Sequence, residues 1–284
     1  MSKTIVRIII TALLIMVMTD GLYALTFEFR KDKPGVKDFV SKNLHFSVGG
    51  ENIISRLPST FYVITYFPDD IPVIAYKGAA IHPDRISGGK NAKNIKGPHG
   101  TKIIYNPNRP PEKMLISSYV LWDGWVFTGN KKETLQNLLK LYKSPSDVAK
   151  TGTLTPSFKE WKEGGIRFWG DNSDSHLTNV FEAQKKTVLI PLVKDPKKIQ
   201  AMAGAITLTT SREIRGKIMV KPVNQQALKD IEGDARFINE TIRRRLVAVK
   251  SQYEGKINSS GGNIIYEVYI GDYGAAQGQL VKSR

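Results

Sequence analysis

The residues of this chain that could carry chemistry are few and dispersed. The four histidines, His45, His82, His99 and His176, never fall at the i, i+4 helical spacing that lets two rings share a metal. Residues 170–176, GDNSDSH, gather Asp171, Asn172, Ser173, Asp174 and His176, oxygen donors that a hard cation accepts. Their spacing departs from an EF-hand loop, and the same residue types build turns and helix caps. For hydrolysis the chain has no G-x-S-x-G, no S-x-x-K with its companion motifs and no H-E-x-x-H. Cysteine is absent, which removes thiol nucleophiles, cysteine-held zinc and iron–sulfur clusters. These readings assign no catalytic, cofactor or metal residue.

Charge is the stronger signal. Lys and Arg number 42 against 26 Asp and Glu, a formal net charge of +16, and a field of that size concentrates anionic partners. It also keeps copies of a protein soluble, which is its plainer meaning. Residues 87–101 combine Gly88, Gly89, Gly97, Pro98 and Gly100 with Lys90, Lys93 and Lys96, and Lys102 lies just beyond. The stretch fails the phosphate-cradling pattern G-x-x-x-x-G-K-[ST] and is expected to be a mobile basic surface loop. With Arg243 and Arg244, which open a run ending at Arg245, these lysines are the candidate anion contacts. The partner classes they fit are an acidic glycan, a lipid headgroup or an acidic protein. A nucleic-acid reader would need a recognisable module, and none is legible. Trp122, Trp125, Trp161 and Trp169 would suit sugar stacking on one open face, but Trp122 and Trp125 flank a two-residue turn and read as a hairpin-stabilising pair.

Elements able to position these residues emerge from period and punctuation. FYVITYF and IPVIAYKGAAI, on either side of Pro68, Asp69 and Asp70, read as paired strands. Asp123 and Gly124 between YVLW and WVFT predict a hairpin, because a type I′ turn needs positive φ at both central residues. Asn130 and Glu133 fit a capping box for a helix carrying Leu135, Leu138, Leu139 and Tyr142 up to Pro145. Residues 158–169 read as a helical turn, a glycine break and a strand, and 177–186 as a helix. AITLTT and GKIMVK form a second hairpin. The longest helix falls between Asn224 and Tyr253, where Leu228, Ile231, Ala235, Ile238, Ile242, Leu246 and Val249 make one apolar stripe. IIYEVYI, at 264–270, is the last strand, after a loop at 259–262. A hairpin followed by a helix thus occurs at 113–143 and again at 205–253. The expected class is α+β, antiparallel sheet with helices packed on one face, with two related lobes meeting near 151–156 as the divided form.

The first 24 residues read as a secretory signal: Lys3 and Arg7, an apolar run at 8–18, a break at Thr19, Asp20 and Gly21, and Ala24. Eleven residues, ten of them apolar, are too few to span a bilayer, which takes about 20. The other reading is an uncleaved inner-membrane anchor through 5–25. The segment contributes only Lys3, Arg7 and Asp20 to the charge, so the basic excess belongs to residues 25–284. Residues 25–43 read as a polar lead-in with a short helical piece around Val36 to Val40, 44–272 as the α+β body and 273–284 as a flexible tail.

Leu57 and Pro58 before a strand, then D-G-W-V-F-T-G-N leading into E-T-L-Q-N-L-L over 123–139, and the I-x-L-x-x-x-x-x-I-x-G-x-I pattern of 206–218, resemble uncharacterised exported bacterial proteins with repeated sheet-and-helix halves. That resemblance implies a periplasmic or surface role and transfers no catalytic residue. The expected function is an exported, non-enzymatic binding or accessory protein with a basic surface for an anionic partner. The alternatives are a hydrolase built on scattered carboxylates and a structural component of an envelope assembly.

Overall fold

The computed structural model describes residues 25–44, 46–48, 51–66, 71–78, 91–108, 116–152, 154, 156–172, 195–209, 213–248 and 252–271. The segment read as a secretory signal, the helix expected at 177–186 and the tail from 273 lie outside them. The chain divides into two units, one within residues 23–150 and one within 151–284.

Among the described residues, the N-terminal unit is an antiparallel sheet of seven strands. In chain order they are β1 (Leu25–Arg30), β4 (Thr60–Tyr66), β5 (Ile71–Lys77), β6 (Lys93–Lys96), β7 (Lys102–Tyr105), β8 (Ser118–Trp122) and β9 (Trp125–Gly129), and their order in the sheet is β1-β4-β5-β9-β8-β7-β6. Helix α1 (Val36–Asn43) and a two-strand ribbon, β2 (Ser47–Val48) with β3 (Glu51–Asn52), fill the link from β1 to β4. The lead-in expected over 25–43 has its helical piece, extended to Val36–Asn43, and the residues before it form a strand, β1, rather than a polar connection. LTFEFR alternates, and its apolar set Leu25, Phe27 and Phe29 is fully buried opposite Thr65, Val63 and Phe61. Phe29 stacks on Phe61 with ring centroids 5.1 Å apart. Burying those rings outweighs Glu28, which is itself buried and accepts a hydrogen bond from the Tyr62 hydroxyl at 3.4 Å.

Helix α2 (Lys132–Lys140) packs on β5, β7, β8 and β9, burying Leu135, Leu138 and Leu139. Its N-cap is Lys131, not Asn130. The Asn130 carbonyl accepts the Ser117 hydroxyl and the Ser117 amide reaches Gly129, so residue 130 is drawn into the end of the sheet and the helix starts later. The capping box lies further on: Ser144 and Asp147 close the 3₁₀ turn Pro145–Ala149 reciprocally. Part of the expected basic loop is also ordered, since β6 occupies Lys93–Lys96 and Pro98–Gly100 form a 3₁₀ turn.

The C-terminal unit is a five-stranded antiparallel sheet in the order β13-β14-β12-β11-β10, made of β10 (Ile166–Asp171), β11 (Ile199–Leu208), β12 (Ile214–Pro222), β13 (Gln252–Ser260) and β14 (Asn263–Gly271). Helix α4 (Gln225–Ala248) crosses from β12 to β13 and packs mainly on β13. Asn224 caps it, its side-chain oxygen accepting the Ala227 amide at 2.8 Å. Leu228, Ile231, Ala235, Ile238 and Leu246 are buried along the expected stripe. Asn239 of α4 accepts the hydroxyls of Tyr253 at 2.7 Å and Tyr266 at 3.2 Å, pinning the helix over the sheet face that also carries Ile218. Burial raises both phenols, Tyr266 to about 12.

The short helix α3 (Lys159–Glu163) lies on the other face. Strand alternation puts Lys217, Trp169 and Glu267 there, and Glu160 and Trp161 of α3 meet them. The two helices described in this unit do not share a face.

Candidate functional site

Two surfaces concentrate charge. On the N-terminal unit, β6 forms the sheet's outer edge and pairs with β7 so that Lys96 stands directly opposite Lys102 and Lys93 opposite Tyr105. All three lysines are exposed and have no carboxylate partner among the described residues. Alternation places Lys96 and Lys102 on one side of the hairpin and Lys93 on the other. On Lys93's side, the Lys132 ammonium lies 4.2 Å from the Tyr105 ring centroid. Like charges directly across a ladder destabilise it, so the Lys96–Lys102 pair opposes folding of the hairpin that carries it. Lys90 lies outside the described residues.

The other expected anion contacts are already engaged. Glu240 accepts from Arg243 at 2.9 Å and Arg244 at 3.0 Å, and those guanidinium groups hold its carboxyl down to about 2. This is a solvated helix-surface network, of small stabilising value. Lys31, whose amine burial makes less basic, is also consumed internally. It donates to the carbonyls of Leu57, Ile54 and Ser55 at the end of the 3₁₀ turn Ile54–Arg56.

On the C-terminal unit, the face bearing α3 opens into a cleft of about 450 Å³ lined by Glu160, Arg215, Glu254, Lys256, Glu267 and Tyr269. Two of those lining carboxylates share one cation: Lys217 sits 2.6 Å from Glu267 and 3.9 Å from Glu160, with the Phe158 ring 5.5 Å from its ammonium. Arg215 lies 5.2 Å from the Tyr269 ring, and Arg167 the same distance from Trp161. None of the charged groups in this cleft stands out in the sequence, because strands β12 and β14, which pair Lys217 with Glu267, are separated by the whole of α4. Lys217 thereby bridges the two carboxylates and ties β12 to both β14 and α3. Every described carboxyl with a shifted proton affinity is held down rather than up: Asp147 by Lys150, Asp230 by Lys198, Glu232 by Arg236 and Glu240 by Arg243.

The remaining candidates have structural partners or lie outside the described residues. The latter are His45, His82, His176 and residues 173–175. Asn172 is buried and donates to the Ile199 carbonyl at 2.7 Å, fixing the end of β10. No group of three or more potential metal ligands occurs among the described residues. Trp122 is buried, opposite Trp125 across the turn. The His99 ring stacks on Trp122 at 4.8 Å and 6°, and its Nε2 lies 3.1 Å from the Leu139 carbonyl at the end of α2. His99→Ala is therefore expected to lower stability by about 1 kcal/mol, one hydrogen bond and one ring contact, read as a shift in the urea unfolding midpoint.

No protein-family model matches the chain, and no curated protein matches it. Among solved structures, the chain is similar to crystal form I of TP0453 at 13% identity and a TM-score of 0.44, covering 94% of this chain and 95% of that one. It is likewise similar to form III at 12% identity and 0.43, over 94% and 96%, and to form IV at 12% identity and 0.42, over 95% and 96%.

Proposed function

We propose that this is an exported, non-enzymatic binding protein of the periplasm or envelope, which takes an extended anionic partner along the β6–β7 edge of its N-terminal unit. The observation that carries the reading is Lys96 facing Lys102 with no carboxylate partner among the described residues. An uncompensated like-charge pair costs stability in the free protein, and an anion lying across it removes that cost. Helix α2 meets the hairpin on the Tyr105 side, through Lys132, and alternation sets Lys96 and Lys102 on the opposite side. Support also comes from residues 85–111, which hold six Lys and Arg and no acidic residue.

The test uses the whole protein and three probes: a sulfated glycan, poly-glutamate, and vesicles containing anionic lipid. Lys96→Ala with Lys102→Ala is expected to weaken binding of the preferred probe roughly 10-fold at about 0.15 M salt, where exposed charges more than about 8 Å apart are screened. The same change should raise, not lower, thermal stability, because it removes the repelling pair. Affinity unchanged for all three probes would overturn the reading.

A further inference from the structure

The outer edge of the C-terminal sheet is β13, nine residues without proline, and among the described residues no strand pairs with its outer side. Such an edge is a template for another chain. The two-residue turn Gly261–Gly262, with φ of 58° and 76°, places Ser260 opposite Asn263, and the pair next to such a turn is hydrogen-bonded across the hairpin. Alternation from there points the backbone groups of Tyr253, Gly255, Ile257 and Ser259 away from β14. The Gly255 carbonyl accordingly takes its hydrogen bond from the Asn239 side chain, at 3.3 Å.

Along this edge the residue chemistry is symmetric about Gly255. Glu254 and Lys256 flank it with opposite charges, Tyr253 and Ile257 are apolar, and Gln252 and Asn258 are amides. A second copy laid antiparallel, Gly255 opposite Gly255, sets each Glu254 against the other copy's Lys256, Tyr253 against Ile257 and Gln252 against Asn258. Centring the pair on Glu254 or Lys256 would oppose like charges, centring on Ile257 would oppose the charges to neutral residues, and centring on Tyr253 would set Glu254 against Gln252 and leave Lys256 beyond the end of the partner strand. The favoured register also continues a row already alternating in sign across the sheet. Lys217 faces Glu267 and Glu267 faces Lys256, and the second copy's Glu254 is next.

We propose that the protein self-associates through β13 as an antiparallel two-fold pair centred on Gly255. Edge strands joined this way form an isologous interface. The net positive charge opposes the approach of two copies, and physiological salt screens it over about 8 Å, leaving the direct cross-strand pairs in control of register.

Sedimentation velocity of the full chain over a concentration series tests this. The parent is expected to show a concentration-dependent dimer. Glu254→Lys alone, or Lys256→Glu alone, turns both symmetric opposite-charge pairs into like-charge pairs and should weaken association roughly 10- to 30-fold, about 1.4 to 2 kcal/mol over the two pairs together. Mixing the two single variants pairs lysines with glutamates again, and the mixture should associate as the parent does. Circular dichroism melts confirm that each variant is folded before it is counted. A parent monomeric at every concentration, single variants that dimerise like the parent, or a mixture that fails to recover association each overturns the proposal.

Discussion

Gly204→Val is expected to destabilise the C-terminal unit by roughly 3 kcal/mol, at the upper end of the range for overpacking a closed core. A Cβ at position 204 would lie 2.3 and 2.6 Å from two ring carbons of Phe168 and 3.0 Å from the Lys217 carbonyl. The backbone of β12 cannot retreat without breaking its ladder with β11. Phe168 cannot retreat either: it is fully buried and faces Gly204 across the β10–β11 pair. The glycine is thus the socket in which the ring sits. Phe168→Ala empties that socket and should cost about 3–5 kcal/mol. The pairing makes a sharper prediction than either change alone. Gly204→Ala combined with Phe168→Leu should lose less than the two single losses together, because the smaller side chain vacates part of the space the new methyl needs. Urea unfolding of the parent, the two single variants and the double variant measures this. Strict additivity would mean that ring and glycine do not share the space.

The elements legible in the sequence are those whose own residues contain the evidence. The β11–β12 hairpin and α4 announce themselves by apolar period, and the β8–β9 turn by Asp-Gly. The missed strands have sound physical reasons to be quiet. β13 and β6 are edges, wetted on their outer side, so QYEGKINSS and KNIK carry polar residues where a central strand carries apolar ones. β1 hides its alternating Leu25, Phe27 and Phe29 among Thr26, Glu28 and Arg30, and only Phe61 and Val63 of the neighbouring β4 show what its apolar side is paired with. Asn130 has the composition of a cap, but Ser117, thirteen residues earlier, competes for its backbone, and no local pattern reports that. The candidate sites depend on register still more strongly. The sequence singles out Lys93, Lys96 and Lys102 as a loose basic cluster. That Lys96 and Lys102 oppose each other, while Lys93 turns to the far side, comes from a pairing fixed by a one-residue choice. Lys217, Glu267 and Lys256 line up across three strands with a 24-residue helix between β12 and β13 in the chain, beyond the reach of any spacing rule.

Gly124→Val should lower stability by about 1–3 kcal/mol, the cost of holding a β-branched residue in left-handed backbone. Asp123 and Gly124 have φ of 46° and 76°, the double positive φ of a type I′ turn, and they set Trp122 opposite Trp125. A side chain at position 124 would meet nothing within 4 Å, so crowding makes no contribution and the loss reports backbone conformation alone. That separation fixes the order of a substitution series. Gly124→Asn, whose side chain tolerates positive φ, should lose least, Gly124→Ala more and Gly124→Val most, although asparagine and valine differ little in size. Thermal unfolding ranks the three, and near-ultraviolet circular dichroism of the facing tryptophans shows whether the register survives. Losses that tracked side-chain volume, with asparagine as damaging as valine, would place the cost in packing rather than in a strained turn. Retention of the order, with the tryptophan signal lost as the turn is strained, would show that the turn selects the pairing of β8 with β9, and through β8 the seat of β7 and of the lysine-bearing edge beyond it.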